Sequence, residues 1–299
     1  MGNIRTQWPR WVGALLLSLV SAGTAQATEN GDSIYPHGVE SFLVGSLPPP
    51  GSYIVNDVNY YDAGRVNDGH GHSVAPNFHL QAVAEAIHLL HFTPGPFGST
   101  YGVQMIVPFV HLDLRDAGSH VEKAGLGDIT VTPFFFGWHG ERWHGVVSTD
   151  INAPTGVYNK ANLLNIGRNY WEVEPIFAVS YIDPNGPTVN AKFMYDFNQT
   201  NPATNYRSGQ EFHFDFAAGW ILGNWTVGGV GYYDRQTQDD TINGVKVAPD
   251  GDRGEVLAIG PGVQYLWKGV VMKLLMQHEV YAYNRVQGDK FWFKVAIPF

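Results

Sequence analysis

The C-terminal stretch 289–299 constrains the fold most. Phe291, Phe293, Val295, Ile297 and Phe299 fall on one face of an extended chain, and Lys290, Trp292 and Lys294 fall on the other. Alternation with period two marks a strand with one apolar and one polar face. The pattern recurs upstream. Phe212, Phe214 and Phe216 alternate with Glu211, His213 and Asp215. In 189–198, Val189, Ala191, Phe193, Tyr195 and Phe197 alternate with Asn190, Lys192, Asp196 and Asn198. Trp171, Val173, Phe177, Val179 and Tyr181 oppose Glu172, Glu174 and Ser180, and Val147, Thr149 and Ile151 oppose Ser148, Asp150 and Asn152. Strands with an apolar and a polar face suit a wall between lipid and a polar interior.

About twelve such segments are predicted, at 52–63, 77–92, 100–113, 125–138, 143–154, 169–182, 188–199, 208–221, 225–236, 253–267, 270–283 and 289–299. The apolar residues of 77–92 also fit helical spacing, and Gly228, Gly229 and Gly231 thin the pattern of 225–236. The connections alternate in kind, except that the 284–289 link, on the long side by parity, is short. Lys268-Gly269, Gly223-Asn224, 183–187 and 140–142 are short turns, whereas 237–252, 201–208, 155–168, 114–124 and 64–75 are long and polar. Outer-membrane barrels have short periplasmic turns and long external loops. The predicted fold is all-β: a transmembrane antiparallel up-and-down β-barrel of about 12 strands, with both termini in the periplasm.

Residues 1–27 read as a secretory signal peptide. Arg5 and Arg10 precede the apolar run Trp11 to Val20, and Ala25-Gln26-Ala27 supplies the small residues of a cleavage site. That run is shorter than the roughly 20 residues a spanning helix needs. Residues 28–50 read as an irregular periplasmic lead-in, able to act as a plug, and 51–299 as the barrel. With Arg5 and Arg10 in the signal, 16 of the 18 basic residues remain against 27 acidic ones, a net −11. Phosphate recognition needs a basic face, so no nucleic-acid partner is expected. The chain has no cysteine and therefore no disulfide or thiolate metal site. Only 15% of residues are charged, against about 25% in soluble domains.

Phe299, at the end of the aromatic strand, resembles the signal that barrel-assembly machinery reads, with Phe291, Phe293, Val295 and Ile297 as its other members. Longer motifs carry a second resemblance. They are Leu47-Pro-Pro-Pro-Gly51 with Tyr60-Tyr61, and Gly125-Leu126-Gly127-Asp128. Ala153-Pro154-Thr155-Gly156-Val157-Tyr158 and Asn165-Ile166-Gly167-Arg168-Asn169-Tyr170-Trp171 complete the set. Together they resemble an outer-membrane barrel family associated with meta-pathway phenol degradation, over about 47–299. Asn159 stands where that family often has Asp. The resemblance implies a barrel and, more loosely, passage of hydrophobic or aromatic compounds.

The predicted inward faces gather Asp150, Glu172, Glu174, Asp196, Glu211, His213 and Asp215 with Lys192, Lys273 and Lys294. These are the candidate lumen-lining residues, and they serve either to select a permeant or to pair charges in a polar interior. No metal site is nominated. His88 and His91 are three apart and point to opposite faces of a strand, and Asp250-Gly-Asp252 lacks a full calcium-loop pattern. No catalytic residue, enzyme activity or cofactor is predicted, since no G-x-S-x-G motif occurs. Passive uptake of a small hydrophobic or aromatic compound is the leading expectation. A structural barrel with a plugged lumen and an outer-membrane hydrolase are the alternatives. The expected location is the outer membrane of a Gram-negative bacterium, with its lipids as surroundings.

Overall fold

A computed structural model describes residues 29, 33–162, 164–247 and 250–299. The expected signal peptide at 1–27 lies outside the described residues. Twelve long strands build the wall: β1 Gly51–Val66, β2 His79–Pro94, β3 Thr100–Asp116, β4 Ile129–His139, β5 Trp143–Ala153 and β6 Glu172–Ile182 in the first half. The second half holds β7 Pro187–Asn198, β8 Glu211–Leu222, β9 Trp225–Gln236, β10 Glu255–Trp267, β11 Val270–Tyr283 and β12 Val286–Pro298. Sequential strands pair antiparallel, and β12 pairs with β1 to close the barrel. Closure leaves no strand edge facing lipid, where each unpaired backbone group would cost several kcal/mol, on the order of a lost hydrogen bond. The seam runs from Tyr53 opposite Pro298 to Val66 opposite Val286, and Phe299 N–H donates to the Ser52 carbonyl at 3.0 Å.

Each expected segment holds a barrel strand, including 77–92 and 225–236. Glycine in β9 reflects close approach of the backbones. Gly228 lies opposite Gly219, and a Cβ on Gly228 would sit 2.1 Å from the Ala218 carbonyl oxygen. Several boundaries shift. The stretch 114–124, expected as a loop, is a hairpin: residues 109–116 of β3 pair with Ser119–Leu126. One of its faces carries Leu112, Leu114 and Val121, which pack in an apolar cluster with Tyr61, Val66, Phe78 and Leu164, and the other carries His111, Asp113, Arg115, His120 and Glu122. Cross-strand pairs hold the charged face, with His111 Nε2 2.7 Å from Glu122 and His120 Nε2 3.1 Å from Asp113. Residues 125–128 are accordingly not the start of β4. Residues 169–171 precede β6, because Asn169 takes φ 62°, outside the extended region.

The outer surface is apolar where lipid would lie. Ile54, Val83, Leu89, Met105, Phe177 and Leu274 are exposed there. Phe291, Phe293 and Ile297 on β12 share that surface and Phe299 is exposed at its end, while Val295 is half-buried. Trp138, Trp143, Trp220, Trp225 and Trp267 gather beside the short turns and point outward. Indole rings favour the headgroup level, so this ring marks one membrane boundary.

Candidate functional site: the barrel lumen

Inward residues of the strands form a polar wall, and the chain before β1 runs along it. Leu47 packs over Gly137 near the short-turn end. Gly45 N–H donates to Ser180 Oγ at 2.8 Å, and Leu43 N–H to Asn190 Oδ1 at 2.9 Å. Further along, Tyr35 and His37 lie beside Asp215 and Asp234. Glu29 reaches the long-loop end, where its carboxylate accepts from Asn201 Nδ2 at 2.7 Å. The described part of the lead-in therefore touches both ends of the barrel, whereas the sequence suggested a place at the periplasmic mouth.

Asp215 is the main acceptor for this segment. Its carboxylate takes hydrogen bonds from Tyr35 Oη at 2.8 Å and from the N–H groups of Gly38 and Glu40, each at 2.9 Å. Gly38 adopts φ 86°, and a Cβ there would lie 2.2 Å from Gln277 Oε1. Glycine is thus required twice over, by conformation and by space. Lysines hold the opposite side. Lys273 Nζ donates to the Phe42 carbonyl at 2.8 Å, and Lys290 Nζ to the His37 carbonyl at 3.3 Å. Lys294 Nζ lies 3.1 Å from Glu40 and 3.2 Å from Asp57. Lys192 Nζ sits 4.6 Å from the centre of the Tyr35 ring, a cation–π contact.

The other candidates also face inward. Asp150 accepts from Thr132 Oγ1, Glu172 accepts from Asn152 Nδ2 at 2.7 Å, and Glu211 accepts from Ser33 Oγ at 2.6 Å. Glu174, Asp196 and His213 form a tight group, with His213 Nε2 3.0 Å from Asp196 and 3.7 Å from Glu174. Sequence reading passed over other charged members of the wall. Asp57 on β1, Asp234 on β9, Glu279 on β11 and Arg285 after it are buried. Arg285 pairs with Asp234, while Glu279 accepts from Tyr61 and Tyr232. Alternation could have found Asp57, between Val55 and Asn59 on the same face. It could also have found Asp234, which continues the face of Tyr232 and Gln236.

An apolar belt interrupts the polar wall. Ile176, Met194, Ala217, Val230, Leu275 and Trp292 are buried on the inside and pack with Tyr35, Val39 and Phe42 of the lead-in. Above it the loop motifs cluster around Asp128. Asp128 accepts from Gly156 N–H at 2.8 Å and from Arg168 N–H at 2.7 Å, tying two loops together. Arg168 then reaches the Glu29 and Ser33 carbonyls, each at 3.4 Å. The Gly-Leu-Gly-Asp and Asn-Ile-Gly-Arg segments therefore anchor the lead-in at the outer mouth, a role that no single residue pattern disclosed.

Comparison with known proteins adds three findings. A family model described as "Putative MetA-pathway of phenol degradation" matches residues 63–295. No curated protein sequence matches. Among solved structures, an outer membrane channel from Pseudomonas putida F1 aligns over 85% of this chain and 97% of its own, at 17% identity and a TM-score of 0.77. The transport unit of the autotransporter AIDA-I from Escherichia coli aligns over 86% and 92%, at 8% identity and a TM-score of 0.50. At these identities the likeness establishes the barrel fold.

Proposed function

Since this chain belongs to the MetA-pathway phenol-degradation family, we propose that it is an outer-membrane channel for passive uptake of small hydrophobic or aromatic compounds. The observation that carries this reading is the apolar belt inside an otherwise polar lumen. Phe42 is fully buried on it, against Gly219 and Gly262, whose missing side chains make room for the ring. A small neutral aromatic would make the same contacts once Phe42 leaves. Such a contact is favourable by about 25 cal/mol for each Å² of apolar area buried. The lead-in is the gate in this reading, and its release uncovers Ile176, Met194, Leu275 and Trp292. The inward carboxylates Glu172, Glu211 and Asp215 disfavour anionic aromatics over neutral ones.

The signal-like start and the aromatic C-terminal strand support an outer-membrane location, reached after signal removal and by way of the barrel-assembly machinery. The neighbour from Pseudomonas putida, itself an outer membrane channel, agrees with that location. The test is uptake of a neutral phenol-like solute at limiting concentration by a deletion strain and its complement. Liposomes carrying the pure protein provide the second arm. Restored uptake and permeable liposomes are expected. A second reading is favoured by one observation, the lead-in that occupies the lumen: a closed barrel with a structural role. Unchanged uptake together with impermeable liposomes would select it.

A further inference from the structure

The geometry assigns to Glu174, Asp196 and His213 a binding site for a divalent cation of the first transition row. The three side chains come from neighbouring strands, β6, β7 and β8, and all are essentially inaccessible to solvent. One candidate ligand atom from each lies within 4.8 Å of the others. Most carboxylates of the lumen are already answered. Asp57 has Lys294, Asp234 has Arg285, Asp215 has three donors, and Glu211, Glu172 and Asp150 each have one. Glu174 differs: neither of its oxygens has a hydrogen-bond partner, and neither does Oδ2 of Asp196. Among the described residues, the ion-pair contacts of these two carboxylates come from His213 alone. With Lys192 acting on them only from beyond ion-pair distance, two carboxylates buried against one imidazole keep part of their negative charge uncompensated, which is costly away from water.

A cation at the centre supplies that charge. Zinc binds imidazole nitrogen and carboxylate oxygen at about 2.0–2.2 Å, so tetrahedral ligands stand about 3.4 Å apart. The separations from His213 Nε2, 3.0 Å to Asp196 and 3.7 Å to Glu174, bracket that value. For these two separations a metal needs only a few tenths of an ångström of adjustment, and the third, between the two carboxylates, lies within 4.8 Å. The second unpartnered oxygen of Glu174 is available for bidentate binding. One imidazole with two carboxylates suits zinc, cobalt, manganese or iron better than calcium, which takes about 6–8 oxygens. His213 Nδ1 has no hydrogen-bond partner of its own. Such outer support changes affinity by about 10- to 100-fold, so binding is expected to be weaker than at a fully supported site. A second group, His37, Glu211 and Asp234, is set aside. Ser33 bridges His37 and Glu211, and Arg285 holds Asp234.

The site is buried beneath the lead-in, with the Tyr35 and His37 rings 4.9 and 4.8 Å from that of His213. Metal should therefore be offered during refolding. The full chain, refolded in detergent with Zn²⁺ and then dialysed, is measured by elemental mass spectrometry. About one retained equivalent is expected. The Glu174→Gln/Asp196→Asn variant should lose it while keeping heat-modifiable gel migration. His139→Ala/His144→Ala, which removes an exposed histidine pair, should keep it. Wild-type protein without retained zinc, or a folded double variant that retains it, overturns the proposal in favour of a proton shared between the carboxyls. Should the double variant not fold, Co²⁺ in the wild type decides. A four-coordinate visible absorption band that His213→Gln shifts or abolishes supports the site, and absence of that band overturns it.

Discussion

Asp215→Asn should unlock the lead-in without unfolding the barrel. The wild-type carboxylate receives three hydrogen bonds, all from the lead-in: Tyr35 Oη, Gly38 N–H and Glu40 N–H. Asparagine keeps the shape but offers one carbonyl oxygen, and its amide N–H groups would then face donors. About two of the three bonds are lost. A hydrogen bond to a charged group contributes about 1.5–3 kcal/mol. Bonds within one network are not additive, so the combined loss is about 2–4 kcal/mol rather than the simple sum. At about 1.4 kcal/mol per factor of ten, the released fraction rises roughly 30- to 700-fold. The β-ladders on either side, to Lys192 on β7 and Tyr232 on β9, are untouched. Planar-bilayer conductance should therefore show more frequent or longer openings. A Glu-specific protease should cut at Glu40 faster, with gel migration of the heated and unheated barrel unchanged. A folded variant with wild-type conductance and wild-type cleavage at Glu40 would refute the assignment of Asp215 as the latch.

Gly38→Val adds a side chain where φ is 86° and where a Cβ already meets Gln277; the same two assays should show a released lead-in with the barrel intact. Phe214→Lys places an ammonium on the lipid face, at a cost of about 2–4 kcal/mol near mid-bilayer, and should lower the folded yield seen by heat-modifiable migration well below that of Asp215→Asn. Deleting Phe299 removes the N–H bonded to Ser52 at the closing seam and the aromatic that follows β12, and fractionation should find less protein in the outer membrane at equal synthesis. Burial raises the carboxyls of Asp240 and Asp252, in the long loop before β10, to about 6. A raised carboxyl favours the folded loop below the ordinary value near 3.8, and that contribution is lost as pH rises through about 6. The loop should thus resist proteolysis better at pH 5 than at pH 7.5, and the reverse order would contradict the burial of these groups.

The wall was legible because one physical rule governs it throughout. Lipid outside and polar lining inside enforce alternation, so Phe212 to Phe216 and Phe291 to Phe299 declare both strand and facing. The rule lapses where lipid ends. There the hairpin at 109–126 puts charged residues on one face and packs Leu112, Leu114 and Val121 in an apolar cluster on the other, and it reads as loop although its backbone pairs fully. The lining residues were identified one at a time from facing alone, and their partners were not. Asp215 looks like any inward carboxylate until Gly38 and Tyr35, about 180 residues away in sequence, are brought to it. Lead-in residues 33–50 carry no period, because they bond side chains of five strands, β6, β7, β8, β11 and β12. A segment held through backbone N–H and C=O groups leaves little trace in side-chain pattern, apart from the glycines at Gly38 and Gly45.

The path of the lead-in also orders events during assembly. Leu43 bonds Asn190 on β7, the backbone at Gly38 and Glu40 bonds Asp215 on β8, and Glu40 meets Lys294 on β12. The first segment to be made is secured by strands made much later, and its final anchors belong to the strand that closes the seam. No such anchor exists while β12 is unpaired. The lumen must accordingly be enclosed around the lead-in, or entered by it afterwards, and in either order the complete set of contacts is the last thing the chain acquires. The contacts of Lys290 and Lys294 with the lead-in therefore complete only with the strand that closes the seam.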